Sequence, residues 1–210
     1  MKRLVLILLI LSSAMVQAAK QDSAFNSNDF PVCSRYGCEV VQRIGLDAST
    51  WQSLTATFDE VPTSPAMERA LLAEWIGQME VEVGRLTNTQ YDVEGTFIMY
   101  TTPDRHKSMQ MDCVDEAENV NVYLSLLEAE GKLRWHRIAG RVHRGFFIRG
   151  YPHTAMSIQD TQTEQVYVLD SWFYENGRPA FILPIDVWKS GWKPPKEETP
   201  EVQEVAEDGR

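Results

Sequence analysis

Positive charge is in short supply in this chain. Lys and Arg number 20 against 30 Asp and Glu, for a formal net charge of −10. So acidic a protein repels phosphate backbones and anionic headgroups, which argues against nucleic acid or an anionic membrane surface as partner. Cysteine is scarce too: Cys33, Cys38 and Cys113 are all there are. A scaffold of several disulfides is excluded, and an odd count leaves one thiol over. After the N-terminal segment no apolar run is long enough to span a bilayer. Internal repeats are absent, which excludes solenoids and propellers. His106, His136 and His143 have no carboxylate or cysteine at ligand spacing, so spacing gives no metal centre.

What is present begins with "MKRLVLILLILSSAMVQAAK". Two basic residues, a short apolar run and small residues are the pattern of a secretory signal peptide. Val16 and Ala18 suit the positions before the cut, so residues 1–18 are expected to be removed; an uncleaved anchor is the alternative. No cysteine lies beside the cut, which argues against a lipid anchor. Losing Lys2 and Arg3 makes the remainder more acidic still. An exported protein meets an oxidising compartment, periplasmic or extracellular. In "PVCSRYGCEV" a short turn through Gly37 brings Cys33 and Cys38 within bridging reach. Cys113 is then the free thiol, and burial as a small hydrophobe is its ordinary fate.

Residues 19–192 have the size of one domain, and the proline- and acid-rich stretch 193–210 reads as a disordered tail. Residues 19–32 are polar and read as loosely ordered. "DASTWQSLTATF" predicts a short helix capped by Asp47. "TSPAMERALLAEWIGQMEVEVGRL" predicts a long one, with Ser64 as cap, Pro65 at the first position, and Met67, Leu71, Trp75, Met79, Val83 and Leu86 as its buried stripe. "TFIMYTT" reads as a short strand. "DCVDEAENVNVYLSLLEAEG" predicts a second strong helix from cap Asp112 to stop Gly131, burying Ala117, Val120, Leu124 and Leu127. The pattern then turns to strands: "KLRWHRIAGRVHRG" as one long strand or a hairpin, then "HTAMSIQ", "QVYVLDSWF" and a short strand and turn in "RPAFILPIDVW". Helices followed by an antiparallel sheet make an α+β domain. The arginines at 134, 137, 141, 144 and 149 read as a solvated strand face, with an acidic substrate or partner as the alternative.

Chemistry concentrates at three residues. A hairpin turn between Thr161 and Gln162 pairs His153 with Asp170, Ala155 with Val168 and Ser157 with Val166, so the imidazole and the carboxylate share a face. A structural polar pair is the alternative for these two. Cys113 follows the cap at the first position of its helix, where free N–H groups and the helix dipole favour a thiolate and can serve an oxyanion. Asp115 and Glu116 oppose that charge, so the sulfur needs a histidine to take its proton. Asp170 would then fix the imidazole tautomer.

"DCVDEAENVNVYLSLLEAEG", "HTAMSI" and "VLDSW" together resemble the papain-like and transglutaminase-like core, and most closely the bacterial transglutaminase-like cysteine proteinases. The likeness covers about residues 95–175. It implies an exported peptidase or amidase acting through a thioester, with Cys113 as nucleophile, His153 as base and acid, Asp170 as orienter, and a protein or peptide as substrate. A non-catalytic periplasmic binding or envelope-interaction module on the same fold is the other expectation. Gln110, just before the nucleophile, is the candidate for a second oxyanion donor. The adhesin-cleaving relatives bind calcium through acids flanking the cysteine. Here Asp112 precedes it but Val114 follows it, so Asp112 and Asp115 are candidate ligands only, and calcium is not favoured as a cofactor.

Overall fold

The structure, a computed structural model, describes residues 25–60, 62–95, 109–145 and 152–195. The signal peptide, the strand expected at 96–102, His106, Arg149 and most of the tail lie outside the described residues. Strands β1 (Phe30–Ser34) and β2 (Val40–Ile44) form an antiparallel hairpin. Helices α1 (Ala48–Thr55) and α2 (Pro65–Thr87) follow, then α3 (Cys113–Ala129). Strands β3 (His136–Arg144), β4 (His153–Asp160), β5 (Val166–Asp170) and β6 (Phe181–Pro184) make one antiparallel sheet in that order, and the short α4 (Ile185–Lys189) follows β6 directly. The chain is α+β, but it opens on a hairpin rather than on helices. Residues 30–32 are not loosely ordered: Phe30 and Val32 are buried, alternating inward along β1. Asn119 of α3 bonds both the N–H and the C=O of Cys33 between them.

Caps set the helices as the sequence predicts. Asp47 accepts from the N–H groups of Ser49 and Thr50, Ser64 from Met67 with Pro65 at the first position, and Asp112 from Val114 and Asp115. The buried face of α2 differs from the expected stripe. Met67 and Leu86 are about half exposed, and the inward row is Glu68, Leu72, Trp75, Ile76, Met79 and Val83. The stripe turns by one residue because a carboxylate, Glu68, takes the first inward place. In the core, Trp75 meets Trp51, Phe58 and Tyr123 edge-on at 6.3, 5.8 and 6.4 Å. Met156, Ile158 and Leu169 close this core from the sheet, while Ala155 and Val168 pack on Trp188 from the other face.

Glu68 explains a histidine that the sequence left without a partner. Its oxygens accept from the backbone N–H of Arg134 and Trp135 and from His136 Nδ1, at 2.7, 3.0 and 2.7 Å. Arg69 lies 3.1 Å from His136 Nε2. A guanidinium only donates, so Nε2 accepts and Nδ1 carries the proton. Glu68→Ala leaves two part-buried amides and a buried imidazole unpaired. The expected loss is about 3 kcal/mol, or roughly 6–12 °C in Tm, read by thermal unfolding.

Two irregularities in the sheet aim side chains. Between Ile138 and Gly140 the β3–β4 register shifts, so Ile138 opposes Ile158 on the core face while Val142 and Arg144 oppose Ala155 and His153 on the other. The β4–β5 hairpin also differs from expectation. Ser157 opposes Val168 and Gln159 opposes Val166, a shift of two residues. Asp160 holds the longer loop, accepting from Gln162 and Thr163, with Glu164 left-handed at φ 60°. An even shift preserves the face, so His153 and Asp170 meet diagonally rather than directly across.

Candidate active site

Four elements converge at one end of the sheet: the start of α3, the start of β4, the end of β5, and α4. His153 Nε2 lies 2.7 Å from Asp170 Oδ2, and the indole N–H of Trp188 donates to that same oxygen at 2.6 Å. His153 Nδ1 and Asp170 Oδ1 are buried with no hydrogen-bond partner. The imidazole packs among Trp172, Phe173 and Trp188, with centroids 4.7, 5.4 and 5.5 Å away.

Cys113 is the first residue of α3, as the sequence predicts. The backbone N–H of Thr154, the residue after His153, lies near enough to its sulfur to favour the thiolate, as does its own N–H. Burial pushes the thiol up to about 12, those two N–H groups work against the rise, and the charges of Asp112 and Asp170 add to it. Cys113, His153 and Asp170 are 6%, 5% and 2% exposed. A gap between α3 and the β4–β5 pair, too narrow to admit a water, is lined by Glu116, Thr154, Asp170 and Ser171 among others.

A hairpin loop braces the nucleophile's helix. Cys33 and Cys38 are disulfide-bonded, and residues 35–38 between and at the bridge are all left-handed. The N–H groups of residues 36–38 converge as an anion-binding nest, while that of Arg35 donates to the Gln110 carbonyl. Tyr36 and Cys38 donate to Asp115 at 2.7 and 2.6 Å, and Gly37 donates to Asp112 at 3.1 Å. The two acids considered as calcium ligands therefore face amide donors. Among the described residues the one grouping of potential metal ligands is Cys33, Cys38 and Asp115, and its sulfurs are in the disulfide. Replacing both cysteines by serine frees a short loop and is expected to cost about 2 kcal/mol. Urea unfolding of the oxidised and doubly substituted proteins measures it, and a non-reduced digest must show the 33–38 bridge with Cys113 free.

Gln110 does not face the nucleophile with a free amide. Its Oε1 accepts from Val93 N–H and its Nε2 donates to the Tyr91 carbonyl, both at 2.9 Å, tying the 91–93 loop to the start of α3. His143 bonds the Thr154 hydroxyl at 2.9 Å. Arg137 and Arg141 are exposed and bonded to Gln159 and Glu118, whereas Arg144 is half-buried and stacks 4.4 Å from the Trp188 ring.

Beside the site lies a group of acids that the sequence did not flag as a set. Glu116 accepts from Ser171 at 2.8 Å and lies beside Glu80 of α2, whose Oε1 is buried without a hydrogen-bond partner. Asp92 accepts from Met111 N–H at 2.7 Å. Burial holds Glu80 well above the carboxylate range, with Glu116 raising it further. It raises Asp92 to about 8, Glu116 to about 7 and Asp115 to about 6. A protonated Glu80 can donate toward Glu116.

Resemblance to known proteins adds nothing to this geometry. No family model, curated protein or solved structure matches the chain.

Proposed function

We propose that this protein is an exported, thiol-dependent peptidase or amidase on a transglutaminase-like core, with Cys113, His153 and Asp170 as its catalytic set. One observation carries the reading: His153 is bonded through Nε2 to Asp170, its Nδ1 is unpartnered, and the amide of the next residue, Thr154, favours the Cys113 thiolate. Asp170 accepts the Nε2 proton, which leaves Nδ1 with a lone pair to take the thiol proton. The thiolate attacks an amide carbonyl carbon. The tetrahedral oxyanion receives the Cys113 N–H, which at the first position of α3 has no intrahelical acceptor. Imidazolium returns the proton to the departing amine, leaving a thioester. His153 then deprotonates water, which attacks the thioester and releases the acid and the free thiol. In a wet compartment water is the default acceptor, and an amine in its place gives transamidation.

The burial of Cys113 favours a second reading, a non-catalytic binding or envelope-interaction module that keeps an inert thiol. The disulfide fits export in either case. Among the described residues no helix is long and apolar enough to cross a membrane.

A complex peptide library incubated in H2(18)O separates the two. Hydrolysis gives new C-termini carrying 18O with the wild type and none with Cys113→Ala. Products joined to an added amine identify transamidation instead. An unchanged library, after Cys113 has been shown to be reduced and the protein folded, supports the module.

A further inference from the structure

We propose that Trp188 is a positioning residue of this site: its indole N–H holds the Asp170 oxygen that His153 binds, and so fixes the carboxylate from which the imidazole takes its orientation. The inference rests on the thiol-hydrolase reading above. Asp170 Oδ1 has no hydrogen-bond partner, so both donors to this carboxylate act on Oδ2. The last torsion of an aspartate is broad and twofold. One donor on a pivoting histidine cannot hold such a group, because the two can swing together. A second donor anchored elsewhere in the fold removes that freedom.

Trp188 is anchored in this way. It is fully buried in α4 against Ala155 and Val168. Arg144 donates to its carbonyl oxygen and lays its guanidinium over its ring. Arg144 reaches this face only because the β3 register shifts between Ile138 and Gly140, which sets it directly opposite His153. Ser157 Oγ, donating to the Gly140 carbonyl at 2.7 Å, pins that irregularity. The chain of support therefore runs from the β3 bulge through Arg144 and Trp188 to Asp170 and His153. A tryptophan that merely fills space needs neither an N–H aimed at the carboxylate nor a cation over its ring.

Alkylation of Cys113 tests this without knowledge of the substrate. The second-order rate with iodoacetamide at pH 7 is measured for the wild type, Trp188→Phe, Asp170→Asn and the double variant, with His153→Ala as reference. Trp188→Phe keeps an aromatic ring and removes the N–H. Each single substitution is expected to slow alkylation about tenfold, and the double variant to be no slower than Asp170→Asn alone, because both act through one carboxylate. A Trp188→Phe rate equal to the wild type, or a loss that multiplies with that of Asp170→Asn, overturns the proposal. If thermal unfolding shows Trp188→Phe to be unfolded, benzothienylalanine at position 188 replaces the N–H by sulfur with the ring shape kept, and the same cycle is run with it. If His153→Ala alkylates as fast as the wild type, the hydrolase reading itself fails. That result is distinct from failure of the Trp188 cycle with His153 dependence intact.

Discussion

Cys113→Ala is expected to remove turnover of any amide substrate found for this protein, and His153→Ala to come close to doing so. Asp170→Asn is expected to leave the fold intact and to lower kcat by roughly a thousandfold, with KM little changed. The asparagine fills the same space. Its amide, however, can present a donor to His153 Nε2 in place of the acceptor that Asp170 Oδ2 now provides at 2.7 Å. The tautomer is then no longer fixed, and the lone pair that must receive the thiol proton is lost for part of the population. The indole N–H of Trp188 donates to the same position and needs an acceptor there. An asparagine can satisfy the indole or the imidazole with its single oxygen only by keeping one rotamer. Initial rates on a cleaved peptide, with circular dichroism to confirm folding, give the result. Equal losses from Asp170→Asn and from substitution of an exposed acid such as Asp59 would remove Asp170 from the mechanism.

Thermal stability is expected to fall as pH rises from about 5 to about 9. Free carboxyl groups ionise near 4, but Asp115, Glu116 and Asp92 hold their protons to about 6, 7 and 8, and burial raises Glu80 well above the free value too. Burial is the first cause in each case. Between those limits the folded chain binds more protons than the unfolded one, so raising the pH favours unfolding. The stability these groups contribute is complete below about pH 4 and is lost as pH climbs through 6 to 8. Salt-bridged carboxylates act in the opposite direction, losing stability as falling pH protonates them. Glu80→Gln removes one ionisation and keeps an N–H donor toward Glu116, so its Tm is expected to depend less on pH than that of the wild type. Melting curves at intervals of one pH unit decide the matter. A Tm that is flat or rising toward pH 9 contradicts the buried-acid account.

Much of this site was legible in the sequence because its parts are local. An aspartate before a cysteine at the start of an amphipathic run fixes the helix start within a residue. A histidine and an aspartate at the two ends of a hairpin share a face for any even register, so an error of two in the turn cost nothing. What stayed hidden depends on distant partners. His136 and Glu68 are 68 residues apart, and nothing near either one signals the other. Trp188 read as part of a terminal turn, because neither periodicity nor spacing says where an indole N–H points. The β1 strand was masked by the polar residues before it, and the inward row of α2 by a buried glutamate that no hydrophobic count includes. The four acids beside the site come from α2, a loop and α3, and only packing makes them a set.

The pH dependence of Cys113 alkylation, measured from about pH 5 to pH 10 in the wild type and in His153→Ala, tests most directly whether these residues work as one unit. Burial, with the charges of Asp112 and Asp170, pushes the Cys113 thiol up to about 12 in this pocket. Its reactivity would climb through the whole alkaline range. With His153 accepting the proton, the wild type is expected to reach a plateau near neutral pH, and His153→Ala to lose that plateau and react only as the pH rises. A wild-type rate that climbs steadily to the alkaline end, superimposing on that of His153→Ala, would contradict the catalytic assignment of Cys113, His153 and Asp170.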